Sequence, residues 1–316
     1  LGTAPRVLEE RELRRLIDQL LPTKRARRAN TDPIAPYLEA LGIVRLALRD
    51  RAEVEAERDD VPGLAVLFGP YRAALRRLGA IDFDEQIYYA AELLLADGEL
   101  RRSLQARYRH LLVDEFQDLT PAHVLLLRLL AAPRLDVFGV GDDDQVIYGH
   151  AGASPSFLID FDQLFPGAGH YALSVNHRCP EAVVEAADSL LSWNRTRVPK
   201  TILPGTDSPS GDERLTVTAV PSGRLAATAR SIVDEWMATG AEPADVAVLT
   251  RVNATLLAPQ IALAEAGVRL NATVGTEVLQ RLGVRAALAY VRLGCSPDSL
   301  DRDDLVEVYR RPSRGL

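Results

Sequence analysis

Two short apolar runs, His110–Val113 and Val137–Val140, break off directly into carboxylates, and this restricts the architecture more than any other feature. The first reads "HLLVDEFQD" over 110–118 and the second "VFGVGDDDQVIYGHAGA" over 137–153. Short apolar runs bounded by polar residues suit strands buried on both faces. A third run at 170–175 and amphipathic stretches at 121–131 and 180–193 alternate with them. The pattern predicts strands at 110–114, 135–141 and 170–175 in a parallel sheet of α/β type. Acids at the carboxyl edge of such a sheet stand where these sheets bind ligands. Without a ligand they are costly, because burial penalises the ionised form and like charges repel. For a bare Asp114-Glu115 pair the alternative is a strand end capped by two solvated acids. Gln117, Asp118 and a second strand delivering acids and Gln145 to the same edge are harder to explain as solvation.

Composition keeps the chain in the soluble globular class, with 316 residues, 47% hydrophobic and 26% charged. That length suggests two or three domains. A formal net charge of −7 argues against a polybasic tail but not against a local basic groove. Cys179 and Cys295 lie far apart without CxxC spacing, so neither a disulfide framework nor a zinc site is indicated. No apolar run reaches transmembrane length and Leu1–Glu10 does not read as a signal peptide, so the expected setting is cytoplasmic and reducing. Lys24 and Lys200 are the two lysines among 37 basic residues, a bias attributable to genomic base composition. The cluster Lys24–Arg28 reads either as a contact to duplex phosphates or as a solvated loop.

Residues 6–105 are helical in character, punctuated by Pro22, Pro33, Pro36 and Pro62-Gly63. "LPGTDSPSGDE", 203–213, has linker composition. A second α/β unit follows, with strands predicted at 214–220 and 245–250 and helices at 223–239, 255–266 and 276–294.

VDEFQD (113–118), GDDDQVIYGHAGA (141–153) and LSVNHRCPEAVVEAA (173–187) resemble, in order and spacing, motifs II, III and IV of UvrD/Rep-type superfamily-1 DNA helicases. IDFDEQIYYAAELLL (81–95) and DVAVLTRVNATLLAPQIALAEAGV (245–268) agree with it, so the resemblance covers about 80–316. It implies a RecA-like P-loop NTPase motor core, an α/β parallel-sheet fold, incomplete here and carrying a helical insertion. Residues 1–105 would be that insertion (1B-like), 106–204 the later half of motor domain 1A and 205–212 a linker. Residues 213–300 would begin motor domain 2A, and 301–316 the next insertion (2B-like).

The implied activity is ATP-dependent DNA unwinding, with Mg2+-ATP hydrolysis coupled to 3′-to-5′ movement on single-stranded DNA in replication or repair. Partners would be single-stranded DNA, single/double-strand junctions and unspecified repair proteins, with no membrane. By the same resemblance Asp114 holds Mg2+ through water and Glu115 activates the attacking water. Gln145 senses the γ-phosphate or the hydrolytic water, Arg178 is the arginine finger and His177 lies against adenine. Tyr148 and His150 lie on the single-strand track, and Arg251 and Asn253 meet the strand from the second motor domain. The plainer alternatives are a surface Arg178, a core Tyr148 and a strand-end turn for Arg251 and Asn253.

Three positions depart from the family pattern: His150 replaces a usual Trp or Phe, Ala151 a usual Arg, and His177 a usual Tyr. No GxxxxGK[ST] phosphate loop occurs in the sequence. The resemblance places that loop upstream of residue 1 and motifs V and VI beyond Leu316, so this segment alone is expected to be inactive. A non-catalytic DNA-binding helicase-like module and the motor of a helicase–nuclease are the alternative readings.

Overall fold

Residues 4–21, 32–206, 215–252, 255–271, 282–295 and 302–310 are described by the computed structural model. They divide into two compact units, Leu1–Leu215 and Thr216–Leu316. The first unit opens with helices α1 (Glu10–Leu20), α2 (Ala35–Leu46), α3 (Arg51–Ala56), α4 (Leu64–Arg77), α5 (Phe83–Ala96) and α6 (Gly98–Arg107). Several starts are encoded locally, since the side chains of Asp50, Asp82 and Asp97 accept hydrogen bonds from backbone N–H groups of the first turn. Apolar residues recur at three- and four-residue spacing, as in Leu13 and Ile17 of α1 or Leu64, Leu67, Tyr71 and Leu75 of α4. Those stripes meet in one buried cluster. A wholly helical reading of 6–105 misses one pairing: β1 (Arg6–Val7) lies parallel to β2 (Ala80–Ile81). Two residues are too few for an alternating pattern to be visible.

Charge is also buried in this helical part. The Arg45 guanidinium donates to both oxygens of Asp82 at 2.7 and 2.8 Å and reaches Asp84 at 3.2 Å. The Tyr71 hydroxyl donates to Asp82 as well, and Arg72 bonds Glu85 at 2.7 Å and Glu92 at 2.9 and 2.5 Å. Pairing of this kind is the condition on which charged groups enter a core.

After α6, β3 (Leu111–Val113) and β4 (Val137–Gly139) run parallel, with Leu111 beside Val137. Helix α7 (Pro121–Ala131) makes the crossover and matches the predicted span. It starts from a capping box between Thr120 and His123, with Pro at its first position. Two short helices, α8 (Ser156–Ile159) and α9 (Phe161–Leu164), then bring Phe161 and Phe165 onto Phe116. A Cβ at Gly139 would lie 2.9 Å from both the Phe116 and Phe161 rings, so glycine lets these rings reach the strand. Helix α10 (Glu181–Leu191) connects β5 (Val175–Asn176) to β6 (Leu203–Pro204), a further parallel pair.

Among the described residues the strands thus form three separate two-stranded ladders rather than the single sheet expected. Residues 170–174 are not a strand, and Tyr171 and Leu173 are 89% and 91% exposed. An apolar run becomes a strand when a neighbour takes up its backbone groups, and within 170–174 the described neighbours take up Ser174 O alone, through the Leu203 N–H.

In the second unit, α11 (Leu225–Ala238) and α12 (Leu257–Glu265) lie inside the predicted helical spans. They are followed by α13 (Leu282–Cys295) and α14 (Arg302–Arg310). Arg292 grips Asp304 at 2.7 and 2.5 Å and Arg285 reaches Glu307 at 2.5 Å, joining α13 to α14. The described parts of 214–220 and 245–250 carry no strand, with Val217 90% and Leu249 89% exposed, for the same want of a described neighbour. No described helix is long and apolar enough to cross a membrane.

Candidate active site

Strand β3 ends at Val113, and the chain then turns sharply. Glu115 adopts φ 50° and ψ 45°, the left-handed region that a residue with a side chain avoids. A 3-10 turn over Phe116–Asp118 follows. Phe116 is fully buried and its N–H donates to Val140 O at 2.8 Å, which anchors the reversal to β4's continuation. The outcome is that Asp114 and Glu115 are both exposed at the carboxyl end of the ladder.

Gln117, buried in the same turn, joins the two strand ends. Its Nε2 donates to Glu115 Oε2 at 2.8 Å, and its Oε1 accepts the Asp142 N–H at 3.0 Å. Gln145 Nε2 then donates to Asp142 Oδ2 at 2.8 Å. Glu115, Gln117, Asp142 and Gln145 therefore form one hydrogen-bonded chain across the ends of β3 and β4. A Cβ at Gly141 would sit 2.6 Å from Gln117 Oε1 and 3.1 Å from the Phe116 nitrogen, so this close approach requires glycine.

Asp142, Asp143 and Asp144 have carboxylate oxygens within 4.8 Å of one another, an arrangement suited to a cation. The cation there belongs to the protein. Lys200 Nζ lies 2.5, 2.6 and 3.0 Å from Asp142, Asp143 and Asp144. Arg197 Nη2 reaches Asp144 at 2.9 Å, Asn194 Nδ2 reaches it at 3.2 Å, and the Val198 N–H donates to Asp143 at 2.7 Å. Burial works to lower the Lys200 pKa, but hydrogen bonds to the three aspartates prevail and hold it above the usual lysine range. Burial likewise works to raise Asp142, and Lys200 and Gln145 hold it below the usual carboxylate range. Sequence reasoning passed over Lys200 by ascribing lysine scarcity to base composition. That scarcity, in a chain that otherwise uses arginine, was the signal available.

With the trio occupied by Lys200 and Arg197, an added metal is left to Asp114. Its exposed carboxylate offers the hard oxygen that Mg2+ takes, and Asp118 Oδ1 in the same turn is buried without a hydrogen-bond partner. Mg2+ uses one or two carboxylates while keeping water and phosphate ligands, so this donor set fits.

The other candidates are placed separately. Asn176 Oδ1 accepts the N–H groups of Arg178 at 2.9 Å and Cys179 at 2.8 Å, an Asx turn that leaves the His177 and Arg178 side chains exposed. No described contact joins those side chains to the Glu115–Gln145 chain. Tyr148 and His150 are exposed with ring centroids 6.1 Å apart and planes inclined by 52°. Their loop is set against the helical part at Gly152, φ 97°, where a Cβ would lie 2.9 Å from that of Ala47. Arg251 is exposed on the second unit, and Asn253 lies outside the described residues.

Residues 6–166 match the UvrD/REP helicase N-terminal domain. The chain belongs to the UvrD/Rep helicase family. The match begins well before residue 80, so the helical region that motif reading could place only by position is part of the UvrD/Rep domain. It also includes Asp114, Glu115, Gln145, Tyr148 and His150, whereas His177, Arg178 and Arg251 lie beyond it. The chain is 32% identical over 245 residues to ATP-dependent DNA helicase UvrD2 of Mycobacterium tuberculosis, spanning 75% of this chain and 35% of that protein. It is 31% identical over 250 residues to DNA helicase II of Escherichia coli, with 79% and 34% covered. ATP-dependent DNA helicase PcrA of Leuconostoc citreum is 29% identical over 254 residues, with 80% and 33% covered. The chain thus spans about a third of the length of these curated relatives.

Proposed function

We propose that the full-length protein is an ATP-dependent DNA helicase that moves 3′ to 5′ on single-stranded DNA. In this reading the first unit holds the catalytic edge of a RecA-like motor domain. The observation that carries it is the hydrogen-bonded chain from Glu115 through Gln117 and Asp142 to Gln145. A water-activating carboxylate and a phosphate-sensing amide need a fixed relation, and this chain supplies one. Asp114 would hold Mg2+ of the nucleotide, which would supply neutralisation of charge developing in the reaction. Glu115 would take a proton from the attacking water. Gln145 would orient that water or report the γ-phosphate, and Arg178 would stabilise charge spreading over phosphate oxygens. His177 would lie beside the adenine. Tyr148 and His150 present two exposed rings suited to stacking on bases at single-strand stretches and junctions, and Arg251 and Asn253 would add strand contacts.

The test is ATP turnover by the full-length protein with and without single-stranded DNA, together with strand displacement on a 3′-tailed duplex. DNA-stimulated turnover and unwinding are expected, and both should vanish in Glu115→Gln. Unwinding that survives in Glu115→Gln would reject the reading.

A further inference from the structure

We propose that Lys200 is a positioning residue: by gripping Asp142 it fixes Gln145 and ties the Gln145 loop to the strand pair that carries Arg178. The proposal rests on the hydrolytic reading above and adds a residue to it. Asp142 is shared between its two oxygens. Oδ1 takes Lys200 Nζ at 2.5 Å and Oδ2 takes Gln145 Nε2 at 2.8 Å, so the ammonium sets the orientation from which Gln145 is held. The Asp142 N–H is meanwhile committed to Gln117 and through it to Glu115.

On its other side Lys200 is continuous with β6. Leu203 N–H donates to Ser174 O at 2.7 Å and Gly205 N–H to Asn176 O at 2.9 Å, locking this segment to β5, immediately before His177 and Arg178. One cation therefore links the two strand systems that bring the proposed sensor and the proposed finger. Arg197, Asn194 and the Val198 N–H add donors along the same segment.

The residue type fits the task. An ammonium has three N–H donors that can point to three separate carboxylates, whereas a planar guanidinium fork matches one carboxylate edge on. Among the described residues every other ion pair to a carboxylate uses arginine or, once, His110. Lysine stands where three acceptors converge.

The test uses the full-length protein with Lys200→Met, which keeps the stem and removes the donors. Without nucleotide, amide hydrogen exchange is expected to rise across 141–148 and 174–178. In DNA-stimulated ATP hydrolysis kcat is expected to fall on the order of 10- to 100-fold while KM for ATP moves little, as for a misplaced group with intact binding. Adding Gln145→Ala to Lys200→Met should lose less than the product of the two single losses, since one acts through the other. Lys200→Arg, which keeps the charge and guards against failed folding, should show the same split on a smaller scale. Unchanged exchange, unchanged kcat, multiplicative losses, or wild-type behaviour of Lys200→Arg would each overturn the proposal. Wild-type turnover in both Glu115→Gln and Gln145→Ala would instead reject the hydrolytic reading, and the kcat arm with it, while exchange still decides the clamp.

Discussion

Exchanging Glu115 for Gln in the full-length protein removes a proton acceptor and keeps the shape that Gln117 holds. ATP binding should persist, and single-turnover hydrolysis should slow by roughly 10²- to 10⁴-fold, the usual worth of a general base. Arg178→Ala should slow the chemical step too. Arg178→Lys should restore little of it, because a point charge lacks the planar fork. At His150 the relevant quantity is ring area. If it stacks on bases, His150→Ala should weaken single-strand binding and His150→Trp strengthen it, by an amount within the ~1–3 kcal/mol of base–aromatic stacking. Fluorescence anisotropy at fixed salt reads this, and equal affinities would remove the ring from the track. Glu115, Gln145 and Tyr148 could be nominated from the sequence because each sits in a short contiguous motif. Lys200 was not, because its partners are distant in sequence and meet it only in the fold.

Among the elements, helices declared themselves through caps and spacing internal to each segment, as the agreement at α7 shows. Strands did not, because a strand is a relation between segments; 170–173 and the stretch around Leu249 have the composition without a described neighbour. Two tests belong at this scale. Gly141→Ala would push a Cβ against Gln117 and the Phe116 backbone, so both stability and turnover should fall, with about 1–3 kcal/mol lost in denaturant titration. In the α2–α4–α5 core, Asp82→Asn leaves the buried Arg45 without its main counterion and removes the charge from the α5 cap. About 3–5 kcal/mol should be lost. Asp84→Asn should instead be neutral or stabilising at pH 7, because burial pushes the Asp84 carboxyl up and its ionised form is the costly one. A larger loss for Asp84 than for Asp82 would contradict this ordering.

For the molecule as a whole the carboxylates set the acid limit. Arg6 holds Glu12 down, Arg49 holds Glu57 down, and Asp142 is held down by Lys200 and Gln145 against its burial. A depressed carboxylate binds fewer protons folded than unfolded. Its contribution is complete above the ordinary values of 3.8 for Asp and 4.5 for Glu, and is lost as pH falls through the folded value. Asp84 has the opposite sign, and acid relieves it. The depressed groups outnumber it, so the denaturation midpoint should hold steady from roughly pH 6 to 8 and decline below about pH 4. A midpoint that rises on acidification would show the raised groups dominating. One break was legible at this scale, since the two compact units part at Leu215, just past the polar stretch 203–213. The reach of the family back to residue 6 was not, because the helices before residue 80 follow general rules of amphipathic packing that many folds share.

The backbone of Glu115 brings thermostability and activity into competition at a single codon. A left-handed conformation costs a residue with a Cβ roughly 1–2 kcal/mol that glycine does not incur. Glu115→Gly also gives up the hydrogen bond from Gln117, typically worth about 0.5–1.5 kcal/mol, so the melting temperature of the full-length protein should hold or rise even as hydrolysis is abolished. A library screened for heat resistance alone would tolerate that change, whereas one screened for unwinding would purge it. Leu48 shares the same backbone region, is exposed and is not among the proposed site residues, so glycine there offers stabilisation that the two screens should accept alike.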